Sequence, residues 1–453
     1  MTYCLKLLVK PFALARAIMR QKQHPFPLVD ALKGTSVLMV ILFHVCEGVV
    51  LIYDDNTDGL QAFVESLPPF VNLAFAFDNA VDIFFLLSSF LLSTGLFKAA
   101  GEGHGINIPR FYLHRFFRLY PLLLVALVLY GLPQLNNLLT HGWCTLLFID
   151  NILGKTIIPV GWSLDVEVQF YVLLPFIILF VRRRRRPAVW LAGLALGSVL
   201  LRAWVVLRHP FTYQTPWVAF LANGTADTYL NALGYQLQTR GTPLVLGILW
   251  AHVVRTTPAG SLKLPRWAFR IAIACLAASA YFALLFPVCD AGSWYYAHFD
   301  ESVNFLLVTG HRAVFSITVL LGVLLFHLCG PPSSGSLIDR VVGWRFWRLL
   351  SEVAYPMYLF HLPMVIIAWL LALGTVNPTE VSVVKPSSIP IVFLLATAMT
   401  LYLSLWLNQL IEAPWIRRGK RIEHWLFATN GGSSRPHGEN DPRTGPQPDH
   451  TNS

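Results

Sequence analysis

Apolar residues recur along this chain in unbroken runs, and the polar residues collect in the joints between them. A run of about 18 apolar residues or more is long enough to cross a bilayer as a helix. Ten runs can be read, near residues 35–53, 71–97, 117–133, 162–181, 188–207, 241–254, 269–287, 306–329, 349–373 and 388–411, the sixth of them short. They are continuous rather than alternating, which argues against a transmembrane barrel. The pattern predicts an all-α, polytopic integral membrane bundle of about ten transmembrane helices. The stretch HGWCTLLFIDNIL ahead of the fourth run reads as re-entrant or interfacial. Near the start, CLKLLVKPFALARAIMRQK spaces basic residues around apolar ones. That suits a helix lying on a membrane surface, and the layout of a cleavable signal peptide is lacking. The expected organisation is an amphipathic basic segment over 1–27, a membrane domain over 28–415, and a tail over 416–453 that is first basic and then Pro/Gly-rich and disordered.

Composition agrees with this reading. The 453 residues are 55% hydrophobic and only 13% charged, about half the charged share of a soluble domain. Charge then orients the bundle. Lys and Arg cluster between Lys6 and Lys22, between Lys98 and Arg118, in the five arginines 182–186, and again over 255–270, 340–348 and 417–421. The alternate joints hold only Lys155, Arg208, Arg240 and Lys385. Basic joints stay on the cytoplasmic side, so both termini are expected there. The net charge of +10 is then a topology signal beside anionic headgroups of the lipid bilayer and calls for no nucleic acid partner. The opposite joints are acidic or aromatic, as in YDDNTDG and CDAGSWYYAHFDES, and 208–240 is the longest. It carries the tripeptide Asn223-Gly224-Thr225, a glycosylation pattern that also arises by chance. Cys46, Cys275 and Cys329 fall in or beside apolar runs as small packing residues, while Cys144 and Cys289 offer at most one disulfide. There is no metal-ligand cluster, Walker loop or dinucleotide fingerprint, so neither a metal nor a permanently bound cofactor is expected.

The first run, LVDALKGTSVLMVILFHVCEG, carries titratable residues that cost several kcal/mol in a bilayer unless something compensates them. Lys33 and His44 are eleven residues apart, three turns plus roughly 20°, so they share one helix face about 16 Å apart along the axis. Glu47, three residues beyond His44, lies on that face and can orient or charge the imidazole. Cys46 points away, which argues against a Cys-His nucleophile pair. On this helix alone, a snorkelling lysine with a hydrogen-bonded packing histidine explains the pattern as well as catalysis does.

Further along, NAVDIFFLLSSFLLSTGLF places Asp82 in the second run, and FYLHRFFRLYP puts Arg115 and Arg118 on one face at the mouth of the third. GWSLDVEVQFYVLLPFII puts Asp165 and Glu167 near the outer end of the fourth, and VAYPMYLFHLPMV puts His361 in the ninth. Taken in order across about residues 28–365, these five segments resemble the acyltransferase family 3 membrane proteins. The family pattern is basic-x10-His, a Val-Asp-Phe-Phe-type segment, Arg-x-x-Arg before Tyr-Pro, Trp-Ser-Leu-x-x-Glu-x-x-Phe-Tyr, and Tyr-x-Leu-x-x-His. This chain departs from it with Lys33 where arginine is usual, Ser88-Ser89-Phe90 for Ser-Gly-Phe, and Glu167-Val168-Gln169.

The resemblance implies acyl transfer from a cytoplasmic acyl-CoA, usually acetyl-CoA, to a hydroxyl of an extracytoplasmic carbohydrate or lipid-linked glycan. The residues suit that reaction. Lys33, Arg115 and Arg118 would meet the CoA phosphates. A histidine suits proton transfer from a hydroxyl, so His44 is expected to act as general base or brief acyl carrier. Glu47 would assist it, and Glu167 would serve the acceptor side or a proton relay. Asp82 and His361 are further candidates, Asp82 chiefly as a salt-bridge partner. Arg202, Arg312 and His327 read as structural. The chain shows no fused hydrolase-like domain, so it is expected to complete the transfer alone or hand on to another protein. A bacterial plasma membrane is the favoured location. The rival class is a secondary transporter or acyl-group exporter, which also uses buried ionisable residues but usually shows two related halves, and none is evident here.

Overall fold

The computed structural model of the chain describes residues 2–21, 27–53, 56–68, 71–101, 105–215, 226–285, 300–330, 336–375 and 383–427. The tripeptide at 223–225, Cys289 and its pairing with Cys144, most of the acidic-aromatic joint 289–302 and the tail beyond 427 lie outside these residues. All regular structure among the described residues is helical.

An amphipathic helix, α1 (Thr2–Arg20), precedes the bundle. The bundle is built from α2 (Pro27–Tyr53), α3 (Ala80–Gly101), α4 (Ile108–Gly131), α5 (Gly161–Arg182), α6 (Pro187–Arg208), α7 (Leu237–Thr256), α8 (Arg266–Leu285), α9 (Glu301–Cys329), α10 (Ala354–Leu373) and α11 (Ser388–Leu407). A final helix, α12 (Ala413–Phe427), continues α11 through the π-turn Asn408–Glu412 and packs against α4. Nine helical segments among the described residues are long and apolar enough to cross a membrane. Their outer faces are apolar too: Leu196, Leu200, Trp204 and Leu207 on α6, and Trp267, Ile271 and Phe282 on α8, are all exposed. Such a surface requires lipid rather than water. The chain is an integral, multi-pass membrane protein.

The short sixth run explains why nine rather than ten segments stand out. It is α7, 20 residues long and so about 30 Å. Its first turns carry Gln238, Thr239 and Arg240, and it is buried at the centre of the bundle against α3 and α6. A helix shielded from lipid by protein need not be apolar throughout. Its approach to α3 depends on a missing side chain. A Cβ on Gly247 would collide with Leu86 O and lie 2.7 Å from Ser89 Cβ. At this crossing Ser89 Oγ donates to Leu244 O at 2.5 Å and Phe90 stacks on Trp250. Small residues and interhelical hydrogen bonds are what bring helices together where the hydrophobic effect cannot.

Arg240 corrects the sequence reading, which counted it among the loop cations. It is 2% exposed and faces Asp82 at 3.3 Å. Arg312 of α9 reaches Asp82 at 3.1 Å and also binds Asp78. Arg202 of α6 donates to the Val308 and Thr239 carbonyls. These contacts bolt α3, α6, α7 and α9 together, and Asp82 is spent on them.

The third run starts earlier than its apolar residues indicate. Asn107 caps α4 by accepting from the Arg110 N–H, and Pro109 suits the first turn, so Arg110, His114, Arg115 and Arg118 are all helical. The stretch read as re-entrant continues the chain as a helix over Leu135–Leu147. It stops at Phe148, whose φ of 56° is the left-handed region. Gln169 donates to the Phe148 carbonyl, and Asp165 accepts from the Asn151 N–H at 3.1 Å, which ties the turn to α5.

One end of the bundle gathers the basic joints. There Arg348 meets Asp30 at 3.4 Å, Arg110 and His114 meet Glu423, and the Gly260 N–H donates to His327 O. Gly34, which has no room for a Cβ, lets Trp347 press on α2. At the opposite end Asn151 and Gln236 join the 148–153 turn to the start of α7.

Candidate active site

Four of the sequence candidates meet in one cavity. It has a volume of about 320 Å³ and runs inward from the basic end between α2, α3, α4, α5 and α10. Lys33, Arg115 and Arg118 line its mouth, with Glu167 further in. Its walls are otherwise mostly apolar, among them Phe84, Phe85, Leu91, Leu119 and Leu164. Lys33 comes from the first turns of α2. Arg115 and Arg118, three apart, share a face of α4. The basic mouth and apolar shaft suit a ligand with an anionic head and an uncharged arm.

Glu167 lies in the first two turns of α5, its carboxylate accepts from the Tyr171 hydroxyl, four residues on, and Tyr171 is paired with Ser88 Oγ at 2.6 Å. Its neighbour Asp165 turns the other way, to Asn151. Successive odd positions on a helix differ by about 200°, so two acids two apart cannot serve one site.

At its inner end the cavity is lined by Ser163 and Tyr358, whose hydroxyls are 2.6 Å apart. Tyr358 packs on the fully buried His361, ring centroids 5.9 Å apart, and His361 packs on His44 at 4.6 Å. His44 thus lies beyond the cavity, separated from it by Tyr358 and His361. Sequence reading did not find Tyr358, although it lies one turn before His361 on the same face of α10.

The hydrogen bonds make the two nitrogens of His44 unequal. His361 Nδ1 lies 2.6 Å from Tyr358 O, and a carbonyl only accepts. Neutral His361 therefore carries its proton on Nδ1 and leaves Nε2 as an acceptor. That acceptor lies 3.1 Å from His44 Nδ1, which is also 2.8 Å from Val40 O. His44 Nδ1 must be the donor in both contacts, so in neutral His44 the Nε2 lone pair is free. Nε2 faces Glu47 at 3.7 Å. Glu47 is 46% exposed and His44 14%, so this side of the pair opens away from the cavity. Lys33 and Glu47 lie on the same helix at opposite ends of the pathway.

Asp82 joins neither group and belongs to the buried ion network. His327 bonds the Thr257 carbonyl, which fits its structural reading.

A family model described as an acyltransferase domain matches residues 26–409. The chain is 24% identical over 344 residues to the putative peptidoglycan O-acetyltransferase YrhL of Bacillus subtilis, a match covering 70% of this chain and 49% of that protein. It is 24% identical over 344 residues to the peptidoglycan O-acetyltransferase OatA of Listeria monocytogenes, covering 69% and 49%. It is also 24% identical over 377 residues to the O-acetyltransferase OatA of Staphylococcus aureus strain NCTC 8325, covering 78% and 55%. The chain spans about half the length of these curated relatives. No solved structure matches it.

Proposed function

The chain belongs to the acyltransferase family whose model spans residues 26–409, and from that premise we propose that it moves an acetyl group from acetyl-CoA to a hydroxyl of a peptidoglycan-type glycan across a bacterial plasma membrane. The observation that carries this reading is the cavity that runs from three cations, along an apolar shaft, to Tyr358, which packs on His361 and through it on His44, whose Nε2 is free.

In this reaction the basic end faces the cytoplasm. Lys33, Arg115 and Arg118 hold the CoA phosphates, and the shaft takes the uncharged pantetheine arm. The thioester reaches the layer of Ser163 and Tyr358. Tyr358 and His361 both move aside for it to reach His44. The acceptor hydroxyl approaches from the Glu47 side and gives its proton to His44 Nε2. Its oxygen bonds to the acyl carbon, the carbon–sulfur bond breaks, and the imidazolium returns the proton to the departing thiolate. Glu47 stabilises the imidazolium, and His361 keeps the ring in the productive tautomer. Glu167, on the donor side, positions Tyr171 and Arg115.

Transport would need mobile buried charges. Asp82, Arg240 and Arg312 are instead paired with one another across three helices, which favours the enzyme. The test is chemical. Purified full chain with radiolabelled acetyl-CoA and a glycan acceptor should give covalently acetylated product. Label that crosses a vesicle membrane with no ester formed would favour the exporter.

A further inference from the structure

Two more cavities open from the basic mouth, and they differ in charge. One, about 400 Å³, is lined by Lys33, Arg118, Arg348 and Arg417, but also by Asp30, Glu352 and Glu412. Three acids against four cations, with Arg348 already paired to Asp30, leave it little net pull on an anion. The other, about 230 Å³, lies between α4 and α12. Its charged lining is Arg115, Arg118 and Lys420, with His114, and no acid. It shares Arg115 and Arg118 with the shaft, so one extended ligand can occupy both.

The fold of α12 explains the imbalance. The π-turn Asn408–Glu412 carries α11 without a break into α12, which packs along α4. The approach is close: a Cβ on Gly419 would come within 2.6 Å of the Phe117 ring, and Trp415 stacks on the same ring. Glu423, the buried acid of α12, is fully engaged by Arg110 and His114. It anchors the helix and leaves this cavity's own lining, with Arg115, Arg118 and Lys420, without an acid. Arg115 Nε is buried without a hydrogen-bond partner among the described residues. A buried donor left unpaired is costly, and a phosphate oxygen would satisfy it.

We propose that this cavity is the subsite for a phosphate at the nucleotide end of the CoA donor, with Lys420 as a donor-binding residue contributed by a helix that lies beyond residues 26–409. The proposal rests on the CoA reading above. Helix α12 closes the third side of a cradle whose other sides are the two arginines of α4.

Binding of CoA and of pantetheine, which has no phosphate, to the purified full chain tests it. A lost charge-assisted contact with phosphate weakens binding by about tenfold. Lys420→Ala should therefore weaken CoA about tenfold, Lys420→Glu more, and Lys420→Arg little. Pantetheine binding should not change. Arg421→Ala removes an equal charge that lines neither cavity and should stay within about twofold of the parent. Lys420 is exposed, so these changes leave the packing of α12 intact. Equal weakening of CoA and pantetheine, or a CoA effect under about twofold, would overturn the subsite while the CoA reading stands. A parent protein that binds no CoA would overturn both.

Discussion

His44 can act as a base because two backbone carbonyls fix where the ring protons sit. The Tyr358 carbonyl sets the tautomer of His361, and His361 together with Val40 sets that of His44. His361→Ala removes one of the two acceptors for Nδ1 and the ring packed on His44, so kcat should fall by about ten- to a hundredfold with little change in donor KM. Equal losses in both would show that His361 only packs. Glu47→Gln should cost less than either histidine change, since an amide still accepts a hydrogen bond but no longer balances the imidazolium. At the mouth, Arg118→Ala should raise donor KM more than it lowers kcat, because phosphate contacts bind ground and transition states alike. Lys33→Arg should keep activity. An Arg118→Ala enzyme with normal donor KM would return that residue to a topology role. The pairing of Lys33, His44 and Glu47 was legible in the sequence because helix periodicity fixes it. The His44–His361 contact was not, because it joins residues 317 positions apart on different helices.

Among the elements, the buried ion network makes the clearest demand. Removing one member of a buried pair costs about 3–5 kcal/mol, since the partner charge is left uncompensated. Asp82→Asn should therefore lower the yield of folded protein, with activity per folded molecule preserved. A well-folded but inactive Asp82→Asn protein would place Asp82 in the chemistry after all. The 148–153 turn carries a pH signature. Burial pushes the Asp150 carboxyl up to about 6, with Thr145 donating to one oxygen. The folded state thus holds its proton above the unfolded value of about 3.9, so this group's contribution to stability falls as pH rises through that window. Asp150→Asn should gain thermal stability over the parent at pH 7.5 and lose that advantage near pH 4.5. A pH-independent difference would contradict it. Sequence reading recognised Asp82 as a salt-bridge partner but put Arg240 in a loop, since a helix this polar resembles a transmembrane span only once its neighbours are known. The same reading began the third run too late, because hydropathy does not register the helical Arg110–Arg118 face.

Across the whole molecule, the alternation of basic and non-basic joints, visible in the sequence, becomes a molecule with two chemically different ends. Single cysteines placed in a cysteine-free parent should report the orientation. Lys155→Cys should react with an impermeant reagent in intact cells, and Ser261→Cys only after permeabilisation. The reverse pattern would invert the donor and acceptor sides. What the sequence concealed at this scale was how the segments converge: Glu167 in one cavity with Lys33, Lys420 in the next, and Tyr358 between cavity and histidine all depend on which helices touch. The account turns on proton transfer at His44, and acetyl transfer per molecule of folded enzyme, measured for the parent and His44→Gln with CoA binding checked in parallel, tests it most directly. Glutamine fills the space and hydrogen-bonds but takes up no proton near neutral pH. The account predicts normal CoA binding and a loss of transfer of at least about a hundredfold; a His44→Gln enzyme within a few-fold of the parent would contradict it.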